Sequence, residues 1–509
     1  LATGASTSQI GAAGNTYAIP RLGITGMELA DGPAGVRLTN RYATAWPNPL
    51  MLASTWNTGL LAEIGAATAK EAKYYGVDFM LSPGLNLHRD PLGGRVFEYY
   101  SEDPYLAGKL GAAFVKAMQE QGIGATIKHY AANNAENNRM GIDEIISERT
   151  LRELYLPVWE IVVQESKPWA VMSSYNSING KFSDENKYLL TDMLRDTFGF
   201  DGFVMTDWGG YHGPQGYAAG LDIYEPGGSA AAMNLLNAVI ENPSIEQDLD
   251  RAIENILRAV LKTETFQKQI YDKSDKAALK DVTPDLKAEG AELSERAAAE
   301  GIVLLKNNGV LPLQKDTTVG VAGQNAIPEY KGSSGWTAPT KGIIFEGGGS
   351  ACVNVNPDDV ISLVEGLERG GLTVLQKNEA GEYLVEGLTK EDAEYAAANS
   401  DVGIVFIGRH GSEGSDVTSI ATKLEELDMI KKLADAYHAE GKKLIVLLNV
   451  AQPIEVDEWD EYADAILYVG LPGIYGAVAI TDVLTGEVNP SGKLADTWPK
   501  MYSDLPTAG

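Results

Sequence analysis

The chain has 509 residues, too many for one ordinary core, so two domains of roughly 200–250 residues each are expected. Apolar residues make up 44% and charged residues 22%, the balance of a soluble globular protein, and no apolar run reaches the roughly 18–20 residues that span a bilayer. The net charge of −29, from 70 acidic against 41 basic residues, repels phosphate backbones and argues against nucleic acid as a partner, whereas a neutral sugar is neither steered nor repelled.

The acidity fits either a saline habitat or simply a solvated surface. A lone Cys352 rules out an internal disulfide and leaves the redox compartment undecided. The chain has no initiator Met and no signal peptide, and residues 1–10 read as the tail of a helix already under way. It therefore reads as a fragment or processed product, and its localisation stays open.

Through the first 265 residues, short apolar runs end in polar or Gly-rich turns and helical patterns follow. Strands are expected at Met27–Ala30, Val77–Leu81, Ala125–Ile127, Ala170–Ser173, Phe203–Thr206 and Leu221–Ile223. Helices are expected at Leu60–Tyr75, Tyr105–Gln121, Glu148–Glu165 and Leu189–Phe198. The alternation argues for a parallel α/β sheet, either closed into a barrel or open. Polar residues sit just after strand ends: Asp31 with Arg37, Lys128 with His129, then Tyr175, then Asp207. Side chains converging from several strand ends are the arrangement of barrel enzymes.

Residues 269–293 are polar and read as a linker. A second, smaller α/β unit follows, with a helix at Glu295–Lys306, strands at Val319–Ala322, Val402–Ile407, Leu444–Leu448 and Ala465–Val469, and helices at Val360–Arg369 and Lys423–Glu440. Gly332–Gly335 and Gly347–Gly349 read as loops, without the strand-to-helix setting or the Lys of a phosphate loop. The expected division is 1–268, a barrel-like catalytic domain; 269–293, a linker; 294–500, an α/β sandwich; and 501–509, a C-terminal tail.

Four segments could carry chemistry. In Gly202-Phe-Val-Met-Thr-Asp207-Trp208 a buried strand ends in a carboxylate followed by an indole on which a pyranose can stack; the plain alternative is a helix N-cap Asp. Lys128 and His129 end another strand and can donate to hydroxyls, the alternative being a His satisfied within the core. The polar stretch after them includes Arg139. The run from Pro83 to Pro104 is rich in Arg, acids and aromatics, which suits vicinal hydroxyls and sugar C–H faces or, more plainly, a rim of surface ion pairs. Glu413, flanked by Gly and Ser, can reach into a neighbouring site, or is an ordinary exposed loop acid. His88, His129 and His212 show no short ligand spacing with a carboxylate, so no metal and no cofactor is expected.

Together these segments resemble family-3 glycoside hydrolases, the β-glucosidase and β-xylosidase type. The matching stretches are Asp31-Gly-Pro-Ala-Gly-Val-Arg37, Gly94-Arg95-Val-Phe-Glu-Tyr-Tyr-Ser-Glu-Asp-Pro104, Lys128-His129-Tyr-Ala-Ala-Asn-Asn134, Val171-Met-Ser-Ser-Tyr175-Asn176, Gly202-Phe-Val-Met-Thr-Asp207-Trp208, Arg296-Ala-Ala-Ala-Glu-Gly-Ile-Val-Leu-Leu-Lys-Asn307 and Asn489-Pro-Ser-Gly-Lys-Leu494. The resemblance implies a (β/α)8-like TIM barrel followed by an α/β sandwich domain. It implies an exo-acting enzyme that hydrolyses terminal β-linked sugars with retention, most simply a β-glucosidase. Asp207 falls on the family nucleophile and Glu413 on the acid/base. Asp31, Arg95, Lys128, His129, Arg139 and Tyr175 fall on its sugar contacts, with Trp208 beside the nucleophile. Arg95, Lys128 and Arg139 are the cations expected around Asp207. Retention implies carboxyl groups about 5–5.5 Å apart.

Three departures stand out. Val417 replaces a common Arg, Leu471-Pro-Gly-Ile-Tyr-Gly476 replaces Pro-Gly-Gln-Glu-Gly, and Leu221-Asp-Ile-Tyr-Glu-Pro226 carries a displaced acid. A β-xylosidase, an N-acetylhexosaminidase or phosphorylase relative, and a non-catalytic sugar-binding protein are the competing readings. The expected partner is a glycoside or oligosaccharide, and a homo-oligomer or an additional polypeptide is compatible with the sequence. Sugar and linkage rest on variable loops and are not readable.

Overall fold

The structure, a computed structural model, describes residues 1–5, 8–333 and 337–508. Contacts divide the chain into two units, each discontinuous in sequence. The first holds Leu1–Thr44, Asn57–Leu87 and Tyr99–Gly290, and the second holds Ala45–Trp56, His88–Glu98 and the residues from Ala291 onward.

In the first unit seven strands form one sheet, in the order Gly4–Ala5, Gly14–Thr16, Glu28–Asp31, Phe79–Leu81, Gly124–Tyr130, Ala170–Ser173 and Phe203–Thr206. Neighbours from Glu28–Asp31 onward are parallel. Phe79–Leu81, Gly124–Tyr130, Ala170–Ser173 and Phe203–Thr206 are buried along their whole length. That is why their apolar residues follow one another rather than alternating with polar ones, up to Lys128 and His129 in Gly124–Tyr130. An eighth segment closes the ring, because Met205 bridges Ile223 and Thr3 bridges Tyr224. Gly4 N donates to Tyr224 O at 2.8 Å and Thr206 N to Ile223 O at 3.1 Å.

The barrel therefore departs from eight parallel strands at one place: Gly14–Thr16 runs antiparallel to both neighbours. The N-terminal hairpin supplies two strands without a helix between them. Residues 1–10, read as a helix tail, instead contain the strand Gly4–Ala5. Gly4 disfavours a helix there, and its backbone finds partners in the barrel wall, while residues 6 and 7 lie outside the described residues. Helices Thr58–Tyr75 and Pro104–Glu120 pack together outside the sheet. Asn57 caps the first, accepting from Leu60 N, and Gly76 at φ +84° ends it. Asp103 caps the second, accepting from Tyr105 N and Leu106 N.

The second unit is built on a six-stranded sheet, ordered Val303–Asn307, Ala465–Tyr468, Lys443–Val450, Val402–Arg409, Thr318–Ala322 and Thr373–Leu375. All pairs are parallel except the first, where Val303–Asn307 runs antiparallel to Ala465–Tyr468. The helix expected at Glu295–Lys306 runs instead over Pro284–Gly301, starting inside the stretch read as linker. Beyond Gly301 the chain leaves the helix and forms the edge strand Val303–Asn307, held by its antiparallel pairing with Ala465–Tyr468. Helices Leu363–Arg369, Lys390–Ala398, Leu424–Ala439 and Gly476–Thr485 also belong to the unit. The loop Gly332–Gly335 continues past residue 333 outside the described residues. No helix among the described residues is long and apolar enough to cross a membrane.

Candidate active site

In the first unit the singled-out side chains gather at the carboxyl ends of the barrel strands. Asp31 is the last residue of Glu28–Asp31, and its Oδ2 lies 3.8 Å from Arg37 Nη1. Lys128 and His129 belong to the strand Gly124–Tyr130 itself, rather than following it, and both are buried. Asp207 directly follows Phe203–Thr206 and is 8% exposed. The next helix begins only at Gln215, which removes the N-cap reading. A carboxylate at the end of a buried strand, open to solvent by a narrow margin, is placed for chemistry on a bound ligand.

A closed circuit of contacts holds that carboxylate. Trp208 N donates to Asp207 Oδ1 at 2.7 Å, and Tyr175 OH donates to Trp208 O at 3.0 Å. Arg139 Cζ stands 4.7 Å from the centre of the Tyr175 ring, and its Nη1 donates to Glu136 Oε2 at 2.8 Å. Asn133 Nδ2 donates to Glu136 Oε1 at 3.3 Å and to Tyr99 OH at 3.1 Å. Tyr99 OH meets His129 Nδ1 at 3.0 Å, and His129 Nε2 returns to Asp207 Oδ2 at 3.7 Å. With Tyr99 donating to Nδ1, His129 carries its proton on Nε2, the side facing Asp207. Asn86 bonds both the N–H and the C=O of His129 at 2.9 Å. Trp208 N thus holds one oxygen of Asp207, and the other faces His129. The Trp208 indole donates through Nε1 to Ala13 O at 3.2 Å and packs on the core cluster of Met27, Leu29, Phe203, Met205 and Ile223.

Sequence reasoning missed Tyr99, Asn133 and Glu136 as members of this circuit. Tyr99 and the two others lie inside stretches already singled out for polarity. No local signal tells which residue of such a stretch turns inward.

In the second unit Glu413 is 7% exposed, so it is not an exposed loop acid. Ser350 N donates to its Oε2 at 2.8 Å, and Arg95 Nη1 lies 3.8 Å from its Oε1. The Gly-rich loop makes this possible. At Gly349, φ is +94°, and an added Cβ would come within 2.4 Å of Glu413 Cβ, so only Gly serves. Arg95 forms a two-pronged pair with Glu98 at 2.6 and 2.7 Å. Its contacts place it in the unit of Glu413. Arg95, Glu98, Tyr99 and Tyr100 are buried, which excludes a rim of surface ion pairs.

The loop carrying Glu413 is laced to the segment before Arg95: Gly94 N donates to Asp416 Oδ1, and Val417 N to Leu92 O, both at 2.9 Å. The attachment at residue 417 is through backbone, so Val in place of Arg leaves it intact. Arg409, at the end of its strand, pairs with Glu426 at the start of helix Leu424–Ala439, joining the two ends of the loop. The variant segment at Leu471 also has a backbone partner, its O accepting from Asn48 N at 2.9 Å.

The model of the glycosyl hydrolase family 3 N-terminal domain matches residues 9–259, and that of the family 3 C-terminal domain matches residues 302–508. The chain belongs to glycosyl hydrolase family 3. This family 3 chain is similar to thermostable beta-glucosidase B of Acetivibrio thermocellus, with 36% identity over 97% of this chain and 64% of that protein. It is also similar to exo-alpha-(1->6)-L-arabinopyranosidase of Bifidobacterium breve, with 34% identity over 99% of this chain and 66% of that protein. Among solved structures, beta-glucosidase 3B from Thermotoga neapolitana in complex with glucose matches at TM-score 0.89 and 37% identity, covering 99% of this chain and 74% of that one. The family 3 chain thus spans slightly less than two thirds of the first curated relatives it matches.

Proposed function

We propose that this chain is the catalytic part of a retaining, exo-acting β-glycosidase whose preferred substrate is a terminal, non-reducing β-D-glucoside. The observation that carries the reading is Asp207, a nearly buried carboxylate at a strand end, held by Trp208 N on one oxygen and facing His129 on the other. Asp207 attacks the anomeric carbon and the glycosidic oxygen departs, giving a covalent glycosyl-enzyme; water then replaces the enzyme. Glu413 protonates the leaving oxygen in the first step and takes the proton of the water in the second. Asp31, Arg95, Lys128, His129, Arg139 and Tyr175 bind the sugar, and Trp208 supplies an apolar face for its ring. The two displacement steps use only these side chains and water.

A second substrate has a specific observation in its favour, the 34% identity to an arabinopyranosidase over 99% of the chain. An α-L-arabinopyranoside presents its leaving group equatorially, as a β-D-glucoside does, so one nucleophile can serve both. Rates on aryl β-D-glucoside, β-D-xyloside, β-D-N-acetylglucosaminide and α-L-arabinopyranoside, with the first-formed anomer followed by NMR, test the proposal. The β-D-glucoside is expected to give the highest kcat/KM, and β-D-glucose is expected to appear before mutarotation. First appearance of the α anomer defeats the retaining mechanism, and binding of glucose without turnover of any aryl glycoside leaves only a sugar-binding protein.

A further inference from the structure

The displaced acid of Leu221-Asp-Ile-Tyr-Glu-Pro226 lies in the barrel wall beside the candidate nucleophile. Glu225 is completely buried, and neither of its carboxyl oxygens has a hydrogen-bond partner among the described residues. Buried polar side chains of native proteins almost always have one. Two glycines of the N-terminal hairpin make room for this carboxyl. A Cβ on Gly4 would fall 2.0 Å from Glu225 Oε2. A Cβ on Gly14 would fall 3.4 Å from the same oxygen and 2.7 Å from Trp208 Cζ2. The carboxyl and the Trp208 indole therefore flank one glycine.

The backbone of Glu225 meanwhile holds the strand end that carries Asp207. Glu225 N donates to Thr206 Oγ1 at 3.0 Å, and Gly209 N donates to Glu225 O at 3.0 Å. Residues on both sides of Asp207 are thus tied to Glu225.

We propose that Glu225 is a positioning residue for Asp207: its carboxyl, carrying its proton, fills the space beneath the Asp207–Trp208 turn, and loss of that proton forces the turn and the Gly4–Gly14 hairpin to open. The proposal rests on Asp207 being the nucleophile. A carboxylate sealed from water without a partner is so costly that the group stays neutral instead. Burial alone pushes the Glu225 carboxyl well above its ordinary range. Among the described residues, no charge stands against the carboxyl to offset ionisation. Gly4–Ala5 and Gly14–Thr16 carry no titratable side chain, and the strand Phe203–Thr206 contributes only the Thr206 hydroxyl. The nearest titratable groups along the chain are Tyr224, its neighbour, whose ring stacks on Tyr211, and Asp222, whose carboxylate is taken up by Arg195 and Arg251. When the proton leaves to solvent, water has to reach the carboxylate. Passage by Gly14 disturbs the Trp208 Nε1 to Ala13 O bond, and with it the turn that orients Asp207.

The sign follows from the raised folded-state value. Stability from this group is complete below the ordinary Glu range, declines as pH rises above it, and is gone once pH passes the folded value. Thermal unfolding and kcat on an aryl β-glucoside, measured from pH 5 to 9 for wild type, Glu225→Gln and Glu225→Met, test the role. Both variants are expected to lose less of their melting temperature than wild type across this range. At pH 9 they should keep a several-fold larger share of their pH 6 kcat than wild type keeps, with KM little changed. Wild-type alkaline losses in both variants overturn the proposal. So does failure of both to fold at pH 5, where an uncharged side chain should serve. An altered melting profile with unaltered kcat leaves Glu225 a purely structural group and overturns its positioning role. Melting requires no turnover, so this arm stays readable even if Asp207 proves not to be the nucleophile.

Discussion

Replacing Asp207 by Ala or Asn is expected to lower kcat on an aryl β-glucoside by about 10⁴-fold or more, the scale on which enzymes lose activity when the nucleophile is removed. The two replacements separate chemistry from folding. Asn keeps an oxygen to accept from Trp208 N, the 2.7 Å bond that ties residue 207 to its own turn, so Asp207→Asn should melt within a few degrees of wild type. Ala loses that bond, at a cost of about 1 kcal/mol. Activity is expected to fall equally in both. Near-normal turnover by either variant excludes Asp207 as the nucleophile, and a loss confined to Ala reduces it to a structural residue.

Glu413→Ala should behave differently, because a proton donor matters according to the leaving group. With a poor leaving group kcat/KM is expected to fall by about 10²–10⁴-fold, the usual contribution of general acid–base catalysis. With an activated aryl leaving group, which departs without protonation, glycosylation should be nearly unaffected, and hydrolysis of the glycosyl-enzyme should become slow. Azide then restores turnover, since it attacks the anomeric carbon without a base, and the product is the β-glycosyl azide. Absence of rescue, or equal losses on both leaving groups, removes Glu413 from the acid/base role. The environment of Glu413 suits a group that must be both placed and enclosed. Ser350 N fixes one oxygen, Arg95 stands 3.8 Å from the other, and Gly349 permits the close approach of the loop behind it.

Much of the barrel was legible because its strands are buried on both faces. Phe203–Thr206 and Ala170–Ser173 stand in the structure where the apolar runs placed them, and Asp207 stood out as the polar residue that ended such a run. The N-terminal hairpin was not legible. Gly4–Ala5 and Gly14–Thr16 are two and three residues long, too short for either period to register, and their partners are more than 200 residues away or across a turn. The same reason hid the strand Val303–Asn307: its apolar residues continue the pattern of the preceding helix, and only pairing with Ala465–Tyr468 makes them a strand.

At the candidate site, residue type pointed to the ends of the circuit and not to its middle. Asp207, His129, Arg139 and Tyr175 could be named from strand ends and resemblance. Tyr99, Asn133 and Glu136 close the circuit only in three dimensions, across as many as 37 positions of chain, as from Tyr99 to Glu136. Glu413 is the sharper case. Taken alone it was an acid between small residues, and its burial is produced by a second Gly-rich loop some 60 residues earlier. Glu225 was visible as a departure from the family pattern, but the absence of any partner for its carboxyl is a property of the closed barrel alone.

In the proposed mechanism a sugar becomes bonded to Asp207 during turnover. Incubation with a 2-deoxy-2-fluoro-β-D-glucosyl fluoride, whose slow deglycosylation lets the intermediate accumulate, followed by proteolysis and mass analysis, tests it most directly. One fluoroglucosyl group per chain is expected, on the peptide containing Gly202–Trp208 and on the Asp207 carboxyl, and absent from Asp207→Asn. A label on any other side chain, or undiminished labelling of Asp207→Asn, would contradict the account.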